Sequence, residues 1–505
     1  PNPNRAYFVY DDGDIDSQAQ TYFLIAPQEN LNFLLANIWS HEYVDCAVVM
    51  EGIVYDHVGI HLRGQGWRHQ PKKGWKLSFN KGEYFRDMNK LDLAMHRPIG
   101  QKAAHDLFWS LGHGNMACEV VRFHINGTFY GLFLAQESLN AATLRRRGLD
   151  DSGEVFHPDA YPYNDLNYYT DPALYPQIYE KKSDPFGSFQ SLMDVSNLIT
   201  NTPSNQILNA MLGEVELDEW FYRWAINNCG PNFDIARNNF ILIHPAEPEL
   251  KWQWIAYDFS HYYGDVGGAS LDPYYSPNKW MERCVSSSSG YSAEFENRNL
   301  VILNDIVQNY NVVEKLNTLM DETFEKYEKD INDEIGLHYE AYENSWGPFV
   351  RNYSQKESIK SLFASRNAWL KNWLASKTFT LPANRNPLIQ MEVPIIDNNT
   401  IDISWDYSDA EGDACTVDLY WSDLVWEYMV PIPGAQNLPA ENRHFVWTAD
   451  LPEDYLNRKI YVQAAIRDGN SYLVHHDTSR PAMAVESCGD IWQIGRGMTG
   501  DVNRD

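Results

Sequence analysis

Apolar residues along this chain keep two different periods. Leu217, Trp220, Phe221, Trp224 and Ala225 recur at helical spacing and predict an amphipathic helix, which ends where Cys229-Gly230-Pro231 supplies stop signals. Elsewhere the period is two. Trp75, Leu77 and Phe79 alternate with Gly74, Lys76 and Ser78, so the apolar set shares one face of a strand and Lys76 takes the other. From Val120 to Glu137 two strand patterns flank Asn126-Gly127, a pair that tolerates positive φ and so marks a hairpin with Glu137 at its far end. A second hairpin is predicted from Phe240–Ile243 and Lys251–Tyr257, around a turn rich in Pro and Glu. Near Leu381-Pro382-Ala383-Asn384-Arg385-Asn386-Pro387 the helical pattern stops in a linker. Beyond it alternation dominates: Ile401, Ile403, Trp405, Tyr407; then Cys415, Val417, Leu419, Trp421; then Ile460, Val462, Ala464, Ile466. One apolar face per strand, sustained over about a hundred residues, predicts a β-sandwich. The expected domains are residues 1–380, mixing α and β; residues 386–485, the sandwich; and residues 486–505, a linker and the truncated start of a calcium loop.

Composition narrows the partners. The 505 residues are 44% hydrophobic and 14% aromatic, enough for a packed core, so a disordered chain is excluded. Forty basic against 69 acidic residues leave a formal charge of −29, which argues against nucleic acid or an anionic membrane as partner. No apolar run approaches the ~18 residues of a membrane span. The chain begins Pro1-Asn2-Pro3, which reads as a mature or trimmed segment and carries no information about export. Six dispersed cysteines lack any C-x-x-C pair, which disfavours structural zinc but allows one or two disulfides. The acidic turn Asp409-Ala410-Glu411-Gly412-Asp413 is read as a solvated loop in preference to a calcium site.

The chemistry concentrates in the first region. His61-Leu62-Arg63-Gly64-Gln65-Gly66-Trp67-Arg68 is a basic, Gly-containing turn that leads into Pro71-Lys72-Lys73-Gly74-Trp75-Lys76. Cations on a sheet in so acidic a protein point to an anionic ligand, although taken alone this segment is better read as a solvated edge strand. Downstream, Asp234 precedes the second hairpin, Asn239 starts it and Asp258 ends it. Antiparallel pairing then brings two carboxylates and an amide to one end of the hairpin, a donor set for a hard cation of the Mg²⁺ type. Helix, Asp, Asn five residues later, hairpin and Asp-Phe is also the order used by protein kinases. The departures are plain: no His-Arg precedes Asp234, Ser260 replaces the Gly of D-F-G, and no G-x-G-x-x-G loop precedes the lysines.

Arg63-Gly64, Pro71-Lys72-Lys73-Gly74-Trp75-Lys76, Asn126-Gly127 with Tyr130-Gly131-Leu132 and Glu137, Asp234 with Asn239, and Tyr257-Asp258-Phe259 together resemble the CotH family of atypical, spore-coat kinases, over roughly residues 5–375. The resemblance implies an α+β, two-lobed protein-kinase-like domain that transfers the γ-phosphate of Mg-ATP to Ser or Thr of a protein substrate. It makes Asp234 the catalytic carboxylate, Asp258 the principal Mg²⁺ ligand and Asn239 the second. Arg63 and a lysine would face the phosphates, with Glu137 a lysine's partner. Strand parity favours Lys76 as that lysine; the family resemblance favours Lys72. The terminal Gly500-Asp501-Val502-Asn503-Arg504-Asp505 resembles the opening of a type I dockerin, with Asp501, Asn503 and Asp505 as the first oxygens of a calcium loop. That implies a secreted, extracellular protein held by a cohesin partner in a cellulosome-like assembly. The alternative reading is a catalytically silent scaffold or binding module in a polysaccharide-degrading complex, which the 17 Trp would suit. A glycoside hydrolase ranks third, because among 69 acids some carboxylate pair always fits.

Overall fold

The structure is a computed structural model that describes residues 17–64, 66–159, 165–232, 234–236, 239–260, 262, 268–275, 277–335, 337, 356–397, 399–426, 428–449, 459–485 and 491–493. The terminal residues Asp501, Asn503 and Asp505, and Cys488, lie outside this set.

The alternating segments of the first part close on themselves. Strands β1 (Gln20–Ile25), β2 (Val44–Met50), β3 (Ile53–Arg63), β4 (Gly74–Ser78), β5 (Lys90–Ala94), β6 (Cys118–Ile125) and β7 (Thr128–Glu137) form a barrel in the order β1-β2-β3-β4-β5-β7-β6. Closure comes from parallel pairing of β1 with β6. Helix α1 (Gln28–Ala36) follows β1, and α2 (Pro98–Ser110) joins β5 to β6. Leu24, Val48, Ile60, Leu62, Trp75, Leu77, Leu93, Phe123 and Phe133 fill the interior. Asn126 and Gly127 take φ of 49° and 84°, as a tight hairpin turn requires. The segment His61–Arg63, expected within a basic turn, is strand. The chain turns at Gly64, where φ is 94°.

The second part is largely helical around a small sheet. Its elements are α3 (Ala141–Arg146), β8 (Glu154–Pro158), α4 (Tyr175–Ile178), β9 (Tyr179–Lys181), α5 (Gln190–Asn201), α6 (Ile207–Glu214) and α7 (Leu217–Cys229). The predicted hairpin follows as β10 (Phe240–His244) and β11 (Gln253–Ala256), with Phe240 opposite Ala256. The sheet order is β11-β10-β8-β9. Helices α8 (Ala293–Asn309), α9 (Val312–Lys326), α10 (Glu328–Ile335) and α11 (Lys356–Ala375) complete this part. Leu217, Trp220, Phe221, Trp224 and Ala225 of α7 are all buried in its core, which gathers Trp254, Trp280, Phe295 and Leu370. Helix α10 reaches back to the barrel: Arg122 of β6 pairs with Asp330 at 2.9 Å and Asp333 at 2.7 Å.

Beyond residue 387 the described elements are strands, apart from a 3₁₀ turn at Ala440–Asn442: β12 (Leu388–Met391), β13 (Ile395–Asp397), β14 (Thr400–Ser408), β15 (Thr416–Ser422), β16 (Val430–Pro431), β17 (Leu438–Pro439), β18 (His444–Thr448), β19 (Tyr461–Arg467), β20 (His475–Thr478), β21 (Met483–Val485) and β22 (Ile491–Gln493). They make two sheets, one built on β14 and one on β15 and β19. Ile401, Ile403 and Trp405 from the first share a core with Val417, Leu419, Val462, Ala464 and Ile466 from the second. Asp413 donates its backbone N–H to Asp409 Oδ1 at 2.7 Å, so the acidic turn is held by its own side chain. Cys118, Cys229, Cys284 and Cys415 are buried thiols, and the one or two disulfides that their number allows do not form among them.

Candidate active site

Strand register sets the barrel side of the site. Lys76 lies opposite His61 on β3 and Asp92 on β5, and Asp92 lies opposite Gln136 on β7. With Trp75 and Leu77 turned into the core, Lys76 and Asp92 share the outer face. Lys76 Nζ stands 3.4 Å from Asp92 Oδ1, and Arg63 Nη2 stands 3.7 Å from Asp92 Oδ2. Burial alone would raise the Asp92 carboxyl, but Lys76 and Arg63 overcome it and hold the group below its usual range. Burial lowers the Lys76 ammonium, with Asp92 opposing the shift.

The end of the β10–β11 hairpin supplies the other side. Asp234 begins a short 3₁₀ turn, and Asn239 Nδ2 donates to its Oδ2 at 2.7 Å. Tyr257 donates its backbone N–H to the Asn239 carbonyl at 3.1 Å, which fixes where β11 ends relative to Asn239. Asp258 follows directly. Its Oδ1 accepts the Ser260 N–H at 2.9 Å and its carbonyl accepts from Asn232 Nδ2 at 3.4 Å. Phe259 is fully buried, 4.7 Å from the His105 ring and 4.8 Å from that of Phe108 on α2, and Arg97 donates to the Ser260 carbonyl at 2.8 Å. The Asp-Phe-Ser run is therefore anchored from the connection between barrel strands.

Tyr257 joins the two sides. Burial pushes its phenol well up, and its charged surroundings are Asp258 and Asp234 from the hairpin together with Arg63 and Asp92 from the barrel. The phenol shares a hydrogen bond with His157 Nε2 on β8 at 2.6 Å. Burial, reinforced by Lys182, takes His157 down to about 3, so the imidazole is neutral. Around the Tyr257 phenol the charges of Arg63 and Asp92 thus meet those of Asp234 and Asp258; Lys76 joins this group through Asp92 and Asn239 through Asp234. Reading the sequence missed Asp92, His157 and Tyr257 as members; Asp92 had a signal, since Lys90 and Asp92 alternate with Leu91 and Leu93 as Lys76 does with its apolar neighbours.

Two predicted residues are engaged elsewhere. Lys72 is 1% exposed; its Nζ meets Glu334 Oε1 of α10 at 2.5 Å and sits 4.4 Å from the centre of the Phe133 ring. Glu137 is also 1% exposed, and its carboxylate pairs with Arg146 at 2.6 Å and accepts from the Ala117 N–H and the Tyr428 hydroxyl. The cation paired with Glu137 is thus Arg146, where the resemblance implied a lysine. Among the described residues no three His, Cys, Asp or Glu side chains gather as a metal cluster. Two carboxylates and an amide do fit Mg²⁺, which takes only one or two protein carboxylates when phosphates supply further oxygens.

Comparison with known proteins bears on the family. The family model described as CotH kinase protein matches residues 60–374. The inner spore coat protein H of Bacillus subtilis (strain 168) is 26% identical over 266 residues, which cover 50% of this chain and 72% of that protein. Among solved structures, the Helicobacter pylori proinflammatory kinase CtkA aligns over 59% of this chain and 94% of its own, at 11% identity and a TM-score of 0.26, too low to carry an argument.

Proposed function

This chain belongs to the CotH kinase protein family, and from that premise we propose that it is an atypical kinase of two lobes, the barrel and the helical part, which transfers the γ-phosphate of Mg-ATP to a Ser or Thr hydroxyl of a protein substrate. The observation that carries the reading is Tyr257, whose phenol lies within the field of Arg63 and Asp92 on one side and of Asp234 and Asp258 on the other. Phosphoryl transfer asks little covalent work of a protein; it asks for alignment and charge neutralisation. Arg63 and Lys76 supply positive charge from the barrel, and Asp92 keeps both cations in place. Asp258 and the Asn239 amide oxygen would hold Mg²⁺, whose chemistry is to neutralise charge developing on the phosphates. Asn239 uses its nitrogen on Asp234, and that bond orients the carboxylate which would accept the acceptor hydroxyl's proton.

The test is incubation with Mg²⁺ and ATP labelled in the γ or the α position. Label reaching protein from γ only supports the reading. Transfer from α would replace it with AMP transfer, and transfer from neither would favour the silent scaffold. Export, a sandwich at residues 386–485 and cohesin docking through a calcium loop at Asp501, Asn503 and Asp505 remain part of the proposal. They rest on the residue pattern alone, and a calcium titration of a chain extended past residue 505 tests the last.

A further inference from the structure

The C-terminal β part is more than an appendage. Between β15 and β16 the chain makes a turn held by its own side chains. Ser422 Oγ accepts the Leu424 N–H at 2.8 Å, Asp423 Oδ1 accepts from both Val425 and Trp426 at 2.9 Å, and Leu424 sits at a positive φ of 54°. A non-glycine residue in that region is strained, and the strain is compensated by what the turn projects. Trp426 is 2% exposed and belongs to the core of the barrel, edge-on to Phe85 at 5.5 Å. Lys102 of α2 donates to the Leu424 carbonyl at 3.2 Å and Arg146 of α3 donates to the Trp426 carbonyl. Tyr428 bonds Glu137 at the end of β7, and its ring lies 4.4 Å from the Arg147 guanidinium.

The same β part grips the helical half by a different edge. Tyr310, after α8, donates to the Val474 carbonyl at 2.8 Å, and Lys315 of α9 pairs with Asp477 at 2.6 Å. Leu473 enters the helical core, and Arg298 of α8 lies 3.7 Å over the Tyr472 ring. Between the two grips, His476 packs against Gly112, where an added Cβ would come within 2.2 Å of the ring. The two edges of the sheet β16-β15-β19-β20 are thus bonded, one to the barrel with α2 and α3 and the other to α8 and α9.

We propose that the C-terminal β part is an in-chain clamp that fixes the barrel against the helical half, with Trp426 as the pin in the barrel and the Tyr310–Val474 and Lys315–Asp477 contacts as the opposite anchor. A part of the chain that contributes none of Arg63, Lys76, Asp234 and Asp258 thus adds a second tie to the direct ones that α2 and α10 make between the barrel and the helical half. Domain closure around ligands commonly leaves such halves free to hinge; here the hinge is bridged.

The test uses the full chain, spin-labelled at exposed Lys81 on the barrel and Asn201 on α5, with the distance distribution read by electron–electron double resonance. The parent should give one narrow distance. Trp426→Ala should lose it, but that change also opens a hole in the barrel core, so a second variant is needed. Tyr310→Phe combined with Lys315→Met changes only residues of the helical side, leaving Asp477 with the Met391 N–H, and should broaden the distance as well. An unchanged distribution in the second variant would overturn the clamp and leave Trp426 as ordinary core filling. The readout needs no nucleotide: a parent that binds no Mg-ATP would sink the kinase reading and leave the clamp standing.

Discussion

Replacing Lys72 and Lys76 one at a time, each by Met, separates two roles that the residue pattern left open. Lys72 and Glu334 are each 1% exposed and form an ion pair. Removing one partner of such a pair leaves the other charge buried and uncompensated, at a cost of about 3–5 kcal/mol. For a protein of 505 residues that is about 3–5 °C in Tm. Lys72→Met should therefore show itself first in thermal or urea unfolding, and Lys72→Met with Glu334→Gln should recover part of the loss. Lys76 is different. When it is removed Asp92 keeps Arg63 at 3.7 Å, so the stability cost should be only about 1 kcal/mol. Its loss should appear in nucleotide binding. A charge-assisted hydrogen bond to phosphate is worth about 1.5–3 kcal/mol, which is roughly 10- to 100-fold in Kd. Calorimetric titration of Mg-ATP into each variant, beside its unfolding curve, reads both quantities. A Lys72→Met protein of parental stability that no longer binds nucleotide, with Lys76→Met binding normally, would refute the assignment.

The two carboxylates of the hairpin end should also separate. Asp258→Asn is expected to weaken Mg-nucleotide binding, whereas Asp234→Asn should leave binding nearly intact and lower turnover by about 10²–10⁴-fold; equal effects on both quantities would contradict these roles. Acid should destabilise the fold well before carboxylates titrate. Burial takes His61, His124 and His475 to about 4 and His105, His157 and His476 to about 3. Because unfolding lets each bind a proton below its ordinary value of 6.5, stability should fall as pH drops through that value, by up to about 1.4 kcal/mol per pH unit for each group. Asp305 acts in the opposite sense: burial raises it to about 6, so its contribution improves as pH falls toward 4, and Asp305→Asn should deepen the net acid loss. Urea midpoints that do not fall between about pH 7 and about pH 5 would count against the buried neutral histidines.

What could be read from the residues and what could not divide along a physical line. The hairpins at Asn126-Gly127 and around Pro245 are local: turn chemistry and alternation specify them, and with them the position of Asp258 next to the strand end that pairs with Asn239. The α7 stripe is local in the same way. Closure of the barrel is not, because β1 and β6 are about a hundred residues apart and parallel pairing leaves no turn signal in the sequence. Nor is the partner of Lys72, which lies on α10, separated from it by 262 positions. The insertion of Trp426 into the barrel was invisible for a related reason. In the residue string it is one apolar position in a short loop between two strands, and only the tertiary arrangement shows that its surroundings belong to a different part of the chain.

The cleft's charge carries the remaining step. Asp92, Asp234 and Asp258 bring three negative charges, Arg63 and Lys76 bring two positive ones, Lys90 adds a third beside Lys76, and the nearby Lys182 is cancelled by its pairing with Glu180. A nucleoside triphosphate entering this site finds no surplus of positive charge, in a protein whose formal charge is −29. Screening confines the balance to groups within about 8–10 Å, so the distant acids matter little and the carboxylates nearest the phosphates decide. At about 5 Å and an effective dielectric near 20, one unpaired like charge costs roughly 3 kcal/mol, or about a hundredfold in affinity. The two barrel cations cannot offset that while they also hold Asp92. Binding of ATP should therefore depend steeply on a divalent cation. In the Asp258→Asn variant the gap between affinities with and without Mg²⁺ should narrow from both ends, because metal-free binding improves as a negative charge is removed. Equal affinity of the parent for ATP with Mg²⁺ and with chelator would mean that these carboxylates do not face the phosphates.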